Sequence, residues 1–326
     1  MKHLMTSWHV TIAATLLAAM TPAQALDCSE GMRAYQHAAG ETCIPEHPQR
    51  IAALDDLRLS LPLIELNAPL IASHGRISKV DGSQYIRAAE NLTGATFANS
   101  GLAFLGNDPI DLEAIAQANP DLIITLVSRN VPVAKLEEIA PVVVFDEDNT
   151  DRFAIYQALA DLTGTQARLD QLENRYAAQL AQLKRLVNSS DIRVSIIEGS
   201  DGEISIQHTY GSLGRVLRDA GFVLPEMVNN LAPGSAQKVS AEYLPQLDAD
   251  VIFDTFRGDR NETPQDADQR MREVLENYCD VLEACKNGRY YRIPRDEAYA
   301  ISYNALAQMT TMLQTIFSAP SLNQAD

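Results

Sequence analysis

The stretch Asp111–Thr125, DLEAIAQANPDLIIT, recurs without a gap as Ser240–Asp254, SAEYLPQLDADVIFD. At an offset of 129 residues Glu113 meets Glu242, Gln117 meets Gln246, Asp121 meets Asp250 and Ile123 meets Ile252. Each copy opens on a capping residue, continues with helical apolar spacing and ends in a short β-rich run, which reads as a helix feeding a strand of a parallel sheet. A phrase of that kind repeated so far apart implies one unit built twice, in two lobes. Asp111 and Ser240 fall at the N-cap positions and Glu113 and Glu242 in the first turns, where the helix dipole favours a carboxylate. Capping alone accounts for either glutamate. Two at equivalent places form a matched pair, suited to a partner with two matched basic pockets.

The flanking sequence supports two lobes. RIAAL (50–54), PLIAS (69–73), PDLIITL (120–126) and PVVVF (141–145) are short apolar strands, with helical patterns at 59–66, 112–118 and 133–139 between them. Such alternation predicts a parallel sheet covered on both faces. From Gln166 to Val187 the apolar residues Leu169, Leu172, Tyr176, Leu180, Leu183 and Val187 recur at spacings of three and four, one amphipathic helix with Thr165 as N-cap. A second alternating region follows: strands RVSIIEG (193–199), EISIQH (203–208), DVIFDTF (250–256) and RYYRIP (289–294), with helices at 212–222 and 303–317. The expected fold is α/β, two doubly wound α/β lobes joined by one long rigid helix. The expected boundaries are a signal peptide at 1–25, an N-terminal lobe at 26–164, a linker helix at 165–188 and a C-terminal lobe at 189–326.

The leader is read from Lys2, the apolar run 10–20 and the small-x-small site Ala23-Gln24-Ala25. Its apolar run is too short for a membrane span, and no other run is long enough. Cys28 follows Asp27 and not a small residue, so no lipid anchor is expected and the mature chain should be a soluble periplasmic monomer. Without Lys2 the formal charge of −17 becomes −18, which argues against nucleic acid and anionic membranes as partners. All four cysteines lie in the exported part. Three pairings are open to them, and the sequence-local pairs Cys28–Cys43 and Cys279–Cys285 are expected. In a straight helix Cys279 and Cys285 would stand about 9 Å apart, so the helix preceding them must end near Tyr278.

HPQRIAALD, GNDPIDLEAIAQANPDLIIT, the single long helix, VSAEYLPQLDADVIFD and LEACKNGRYYRIP occur in one order through nearly the whole mature chain. In these features the chain resembles the periplasmic substrate-binding proteins of ABC importers for iron–siderophores, haem and cobalamin. RAYQHAAGETCIPEHPQRIAAL and GSQYIRAAENLTG look most like the ferric-siderophore binders. The resemblance implies a ligand held between two lobes, no resident cofactor, and one glutamate on each lobe, Glu113 and Glu242, docking on the permease dimer in the inner membrane.

In doubly wound sheets ligands meet the carboxyl ends of strands. That rule selects Asp55, Asp56 and Arg58, then His74 and Arg76, then Arg129 and Asn130. In the second lobe it selects His208 and Tyr210, Arg257, and Arg295 with Tyr299. Guanidinium forks and tyrosine hydroxyls suit the oxygen-rich groups of a ferric siderophore. The expected ligand set is Arg76, Arg129, Arg257, His74, His208, Tyr210, Asn130 and Tyr299. No direct metal site is expected, but His208 with a nearby tyrosine is placed to complete the iron coordination that a tetradentate siderophore leaves open. Asp55-Asp56 is not read as a catalytic acid pair, because neighbouring side chains diverge on a regular element. No G-x-S-x-G, H-E-x-x-H, Walker or post-strand G-x-G-x-x-G motif occurs, so no enzyme and no catalytic residue is expected. A free zinc or manganese site would need converging ligands. Only His37, His47, His74 and His208 follow the leader, and two of these precede the first strand. Haem and cobalamin stay open as alternative ligands.

Overall fold

The computed structural model describes residues 26–146 and 152–318; the leader read at 1–25 lies outside them. Strands β1 (Met32–His37) and β2 (Gly40–Pro45) form an antiparallel hairpin that sequence reading did not anticipate, stapled by Cys28–Cys43. The first sheet follows: β3 (Ile51–Ala53), β4 (Leu70–Ser73), β7 (Ala103–Phe104), β8 (Leu122–Leu126) and β9 (Val142–Phe145). Strands β5 (Arg76–Ile77) and β6 (Gln84–Tyr85) make a separate small hairpin between β4 and β7. The spatial order is β7-β4-β3-β8-β9 with every pair parallel. The chain thus begins at the centre and winds outward both ways, leaving a switch point beside β3 where loops diverge and a crevice opens.

Burial follows the strand period of two. Ile51, Ala53, Leu122, Ile124, Leu126 and Val143 face one apolar cluster. Ala52, Ile123, Val142 and Val144 face another on the opposite side. The first cluster continues through Leu169, Leu172 and Leu183 into the second lobe. Those three leucines are the buried stripe of the helix Gln166–Leu186, whose 21 residues span about 31 Å. A shorter helix, Ala154–Thr163, precedes it and stops at Gly164 with φ of 68°. Thr165 does not cap the long helix with its side chain; its hydroxyl is bonded to that of Thr163 instead.

The second lobe departs from a single doubly wound sheet. β10 (Val194–Ile196), β14 (Val251–Phe256) and β15 (Tyr290–Pro294) are parallel, in the order β10-β14-β15. β11 (Glu198–Ser200), β12 (Glu203–Gln207) and β13 (Ala236–Val239) form an antiparallel meander. The run 193–199, read as one strand, divides at Ile197 between the two sheets. The cause is local: Asp201-Gly202, with φ of 55° and 75°, is a tight hairpin turn that returns the chain at once. The helix Pro264–Val274 ends before Tyr278, as the Cys279–Cys285 bridge requires.

The repeated phrase has a structural reason in each lobe. Asp121 accepts from the backbone N–H groups of Gln49 (2.7 Å) and Arg50 (2.9 Å). Asp250 accepts from the N–H of Arg193 (2.8 Å). Each aspartate, entering a central strand, therefore pins the start of the strand alongside it. The helices differ more. Asp111 caps Leu112–Ala118 through the N–H groups of Glu113 and Ala114. Ser240 makes no such cap; its hydroxyl donates to Glu242, and only a single turn precedes the short helix Leu244–Leu247, which carries Pro245.

The lobes are joined by a buried carboxylate. Glu65, on the helix Leu61–Glu65 of the first lobe, is 3% exposed. It accepts from the Ser302 hydroxyl (2.7 Å) and from the N–H groups of Tyr303 (2.9 Å) and Asn304 (3.0 Å). These sit at the N-terminus of the last helix, Tyr303–Phe317, where unpaired N–H groups and the dipole favour an anion. The Tyr156 hydroxyl donates to the same carboxylate.

Candidate ligand-binding cleft

A cavity of about 530 Å³ opens at the carboxyl ends of the parallel strands, walled by both lobes. Its lining contains Arg58, Arg76, Lys79 and Arg87 from the first lobe, Arg257, Arg260 and Arg295 from the second, and Arg152 ahead of the helix Ala154–Thr163. Against these cations stand two lining acids, Asp259 and Asp296. A body of formal charge −17 thus encloses a strongly basic cleft. Beside it lies a smaller apolar recess of about 120 Å³, with Phe145, Ile155 and Ile301 in its wall.

Buried carboxylates set the arginines of the first wall. After β3 the chain makes a wide helical turn, Asp56–Ser60, in which the Ser60 N–H reaches back five residues to the Asp55 carbonyl. The turn sends the two fully buried aspartates in different directions. Asp55 accepts from the N–H of Arg58 (2.7 Å) and from its guanidinium (3.2 Å). Asp56 is gripped by Arg87 through Nε (2.9 Å) and Nη2 (2.6 Å), with Arg76 Nε at 3.9 Å and His74 Nδ1 at 3.4 Å. Burial alone would raise the Asp56 carboxyl, but the hydrogen bonds and charges of Arg87 and His74 hold it well below the usual carboxylate range.

The second wall repeats the device. Glu198 accepts from Arg295 Nε (3.2 Å) and from the Tyr210 hydroxyl (2.6 Å), and the Thr255 hydroxyl donates to it. Arg295 also lies 4.2 Å from the ring centroid of Tyr299, a cation–π contact. Arg152 Nη1 donates to the Tyr299 hydroxyl (3.2 Å). Burial works to raise that phenol, yet Arg152, Arg295 and Arg58 bring it below its ordinary value. The Arg257 guanidinium is pulled down by burial, then by the charges of Arg295 and Arg260. Burial and the nearby Asp259 push Asp296 up to about 6. The Tyr85 hydroxyl crosses the mouth of the cleft to Asp259 Oδ2 (3.3 Å).

A model of the periplasmic binding protein family matches residues 103–297, more than half the chain. The chain belongs to the periplasmic binding protein family. Among curated relatives it is 25% identical over 279 residues to the iron(3+)-hydroxamate-binding protein FhuD of Bacillus subtilis (strain 168), covering 81% of this chain and 80% of that one. Among solved structures it matches a FhuD fold-family component of a Fep/Fec-like ferrichrome ABC transporter from Bacillus subtilis. That match has a TM-score of 0.71 and 21% identity, over 87% of this chain and 100% of that chain. It also matches Staphylococcus aureus SirA complexed with staphyloferrin B, with a TM-score of 0.67 and 18% identity over 87% of this chain and 97% of that chain.

Within this family frame, the residues selected from strand ends fall into two groups. Arg76, Arg257 and Tyr299 line the cleft, as do Arg58 and Arg295. The structure does not bring the other five of the expected ligand set into the lining. His74 is fully buried behind the first wall, drawn in by Asp56. Tyr210 is 3% exposed and holds Glu198 from beneath. Arg129 turns to Asp108 (3.2 Å) with its side chain 9% exposed. Asn130 is an exposed left-handed residue ending the turn Val127–Arg129. His208 stands outside the lining and its Nδ1 bonds the neighbouring Thr209 hydroxyl (2.9 Å). Among the described residues no cluster of three or more His, Cys, Asp or Glu side chains could hold a metal ion. Sequence reading missed Lys79, Tyr85, Arg87, Arg152, Arg260, Asp259 and Asp296. A usable signal was the Asp55-Asp56 pair, since two acids in an apolar strand end need cationic partners.

Below the second wall, Asp254 is fully buried on β14, accepting from the Thr255 N–H (2.7 Å) and the Tyr290 hydroxyl (3.0 Å). Burial, with the charge of Glu198 added, pushes it up to about 7. The folded protein therefore holds this proton more tightly than the unfolded chain. Its stability should rise as pH falls from about 7 toward about 4 on this account. Asp254→Asn is expected to stabilise the protein by about 2–4 kcal/mol at pH 8 and by little near pH 4. Urea unfolding at the two pH values checks this, and an unchanged midpoint at pH 8 would refute it.

Proposed function

We propose that this chain captures a ferric siderophore between its two lobes in the periplasm and delivers it to the permease of an ABC importer, without catalysing a reaction. The basic cleft carries the reading. It lies at the strand ends where doubly wound sheets bind ligands, and guanidinium groups from both lobes converge on it. Family membership supports the same role, as do the names of relatives that bind iron(3+)-hydroxamate. In this reading the lobes are 26–164 and 189–326, the linker is 165–188, and the mature chain acts as a soluble monomer after removal of 1–25. Among the described residues no helix is long and apolar enough to cross a membrane. Arg76, Arg257 and Tyr299 contact the ligand, with Arg58, Arg87 and Arg295 beside them.

Glu113 and Glu242 are both exposed at the starts of equivalent segments, and we assign them to the permease contact. Glu113→Ala with Glu242→Ala should leave the affinity for a ferric siderophore unchanged and lower uptake of radiolabelled iron. Each loss would remove a charge-assisted contact of roughly 1.5–3 kcal/mol. Normal uptake at limiting protein would refute the docking role. Binding of haem or cobalamin with no ferric siderophore bound would refute the ligand.

A further inference from the structure

The arginines of the cleft outnumber the carboxylates that hold them. Asp55, Asp56 and Glu198 account for Arg58, for Arg87 with Arg76, and for Arg295. The Arg257 and Arg260 guanidinium groups and the Lys79 ammonium have no ion pair or hydrogen bond among the described residues, although all three line the cavity. They sit on both walls, Lys79 in the β5–β6 hairpin and Arg257 with Arg260 after β14. The two lining acids, Asp259 and Asp296, offset them only in part, and among the described residues neither forms an ion pair with them. Asp259 takes the Tyr85 hydroxyl, and Asp296 takes the Asp259 N–H (3.1 Å). An uncharged ligand filling this space would strip water from three cations and return nothing to them, which is unfavourable. An anion meeting both walls would pair with them in a partly dehydrated site, where such contacts are strong.

Resting on the siderophore reading above, we propose that the ferric complex bound by this chain is anionic and presents negative oxygen on two opposed sides, one to each lobe. Tris-catecholate and α-hydroxycarboxylate complexes of iron(III) share that chemistry. Neutral trihydroxamate complexes lack it, so the ligand class differs from the iron(3+)-hydroxamate in the names of two relatives.

The test is equilibrium dialysis of the mature protein against three iron-labelled probes: a ferric tris-catecholate, a ferric α-hydroxycarboxylate complex and a neutral ferric trihydroxamate. One of the two anionic complexes should bind at least about a hundredfold more tightly than the trihydroxamate, and which one does so identifies the source of the charge. Arg257→Gln and the more exposed Arg260→Gln should each weaken that anionic complex roughly tenfold and the trihydroxamate much less. Equal or tighter binding of the trihydroxamate overturns the anionic assignment and leaves the siderophore reading standing. An equal loss for all probes in Arg260→Gln, a variant on the cleft surface, also overturns it. If none of the three binds, the siderophore reading itself fails.

Discussion

Glu65→Ala should lower the unfolding free energy by about 3–5 kcal/mol. The substitution strips one buried carboxylate from four donors: the hydroxyls of Tyr156 and Ser302 and the N–H groups of Tyr303 and Asn304. Each donor would be left in a nearly dry site, and an unmet buried donor costs about 1–3 kcal/mol. Water entering the space vacated by the side chain keeps the sum below the simple total. Glu65→Gln retains one accepting oxygen and should recover part of the loss. Urea unfolding of the three proteins at neutral pH orders them parent, Gln, Ala. A Glu65→Ala protein within about 1 kcal/mol of the parent would mean that the junction between the lobes does not depend on this residue.

Asp56→Asn is the second large effect expected, a loss of about 3 kcal/mol or more at pH 7. The amide keeps the shape and removes the charge that Arg87 and Arg76 share and that His74 faces. Breaking a buried pair from one side costs about 3–5 kcal/mol. The lower part of that range applies, because the arginine side chains are 21% and 29% exposed toward the cleft and reach water. The folded protein holds the Asp56 carboxyl below its unfolded value. Its contribution is therefore present above about pH 4 and fades on further acidification. The gap between parent and Asp56→Asn in urea should narrow in the same direction. A gap that stays constant from pH 7 to pH 3 would show that the pairing is not its origin.

The parts of the fold that sequence revealed were those written in local patterns. The offset repeat marked two lobes, and the spacing of Leu169, Leu172 and Leu183 marked the long helix. Runs such as PDLIITL marked buried parallel strands, because both faces of such a strand are covered and, in Leu122–Leu126, every residue but Thr125 is apolar. The split of 193–199 is signalled only by Asp201-Gly202, a hairpin turn behind an apolar run that by itself reads as one strand. The cleft was less legible for a different reason. The strand-end rule places residues along the chain but does not say which way a side chain points. His74 and Tyr210 sit where the rule looks, yet Asp56 and Glu198 turn them inward. Arg87 and Arg260 lie past a hairpin and in a turn, off the strand ends, and reach the cleft through tertiary folding. Asp55 and Asp56 do diverge, as neighbours should, and that divergence lets one dipeptide orient Arg58 on one side and Arg87 with Arg76 on the other.

The two facing walls behave like plates bearing the same sign. Between them they gather an atmosphere of small anions from the medium. A ligand that arrives must displace those ions, so capture becomes ion exchange, and its strength depends on what the surrounding fluid already supplies. Phosphate or citrate carried through a purification would then occupy the cleft and mask the affinity for the cargo. Exhaustive dialysis into a weakly competing salt comes before any titration that is to measure what this cleft was shaped to hold.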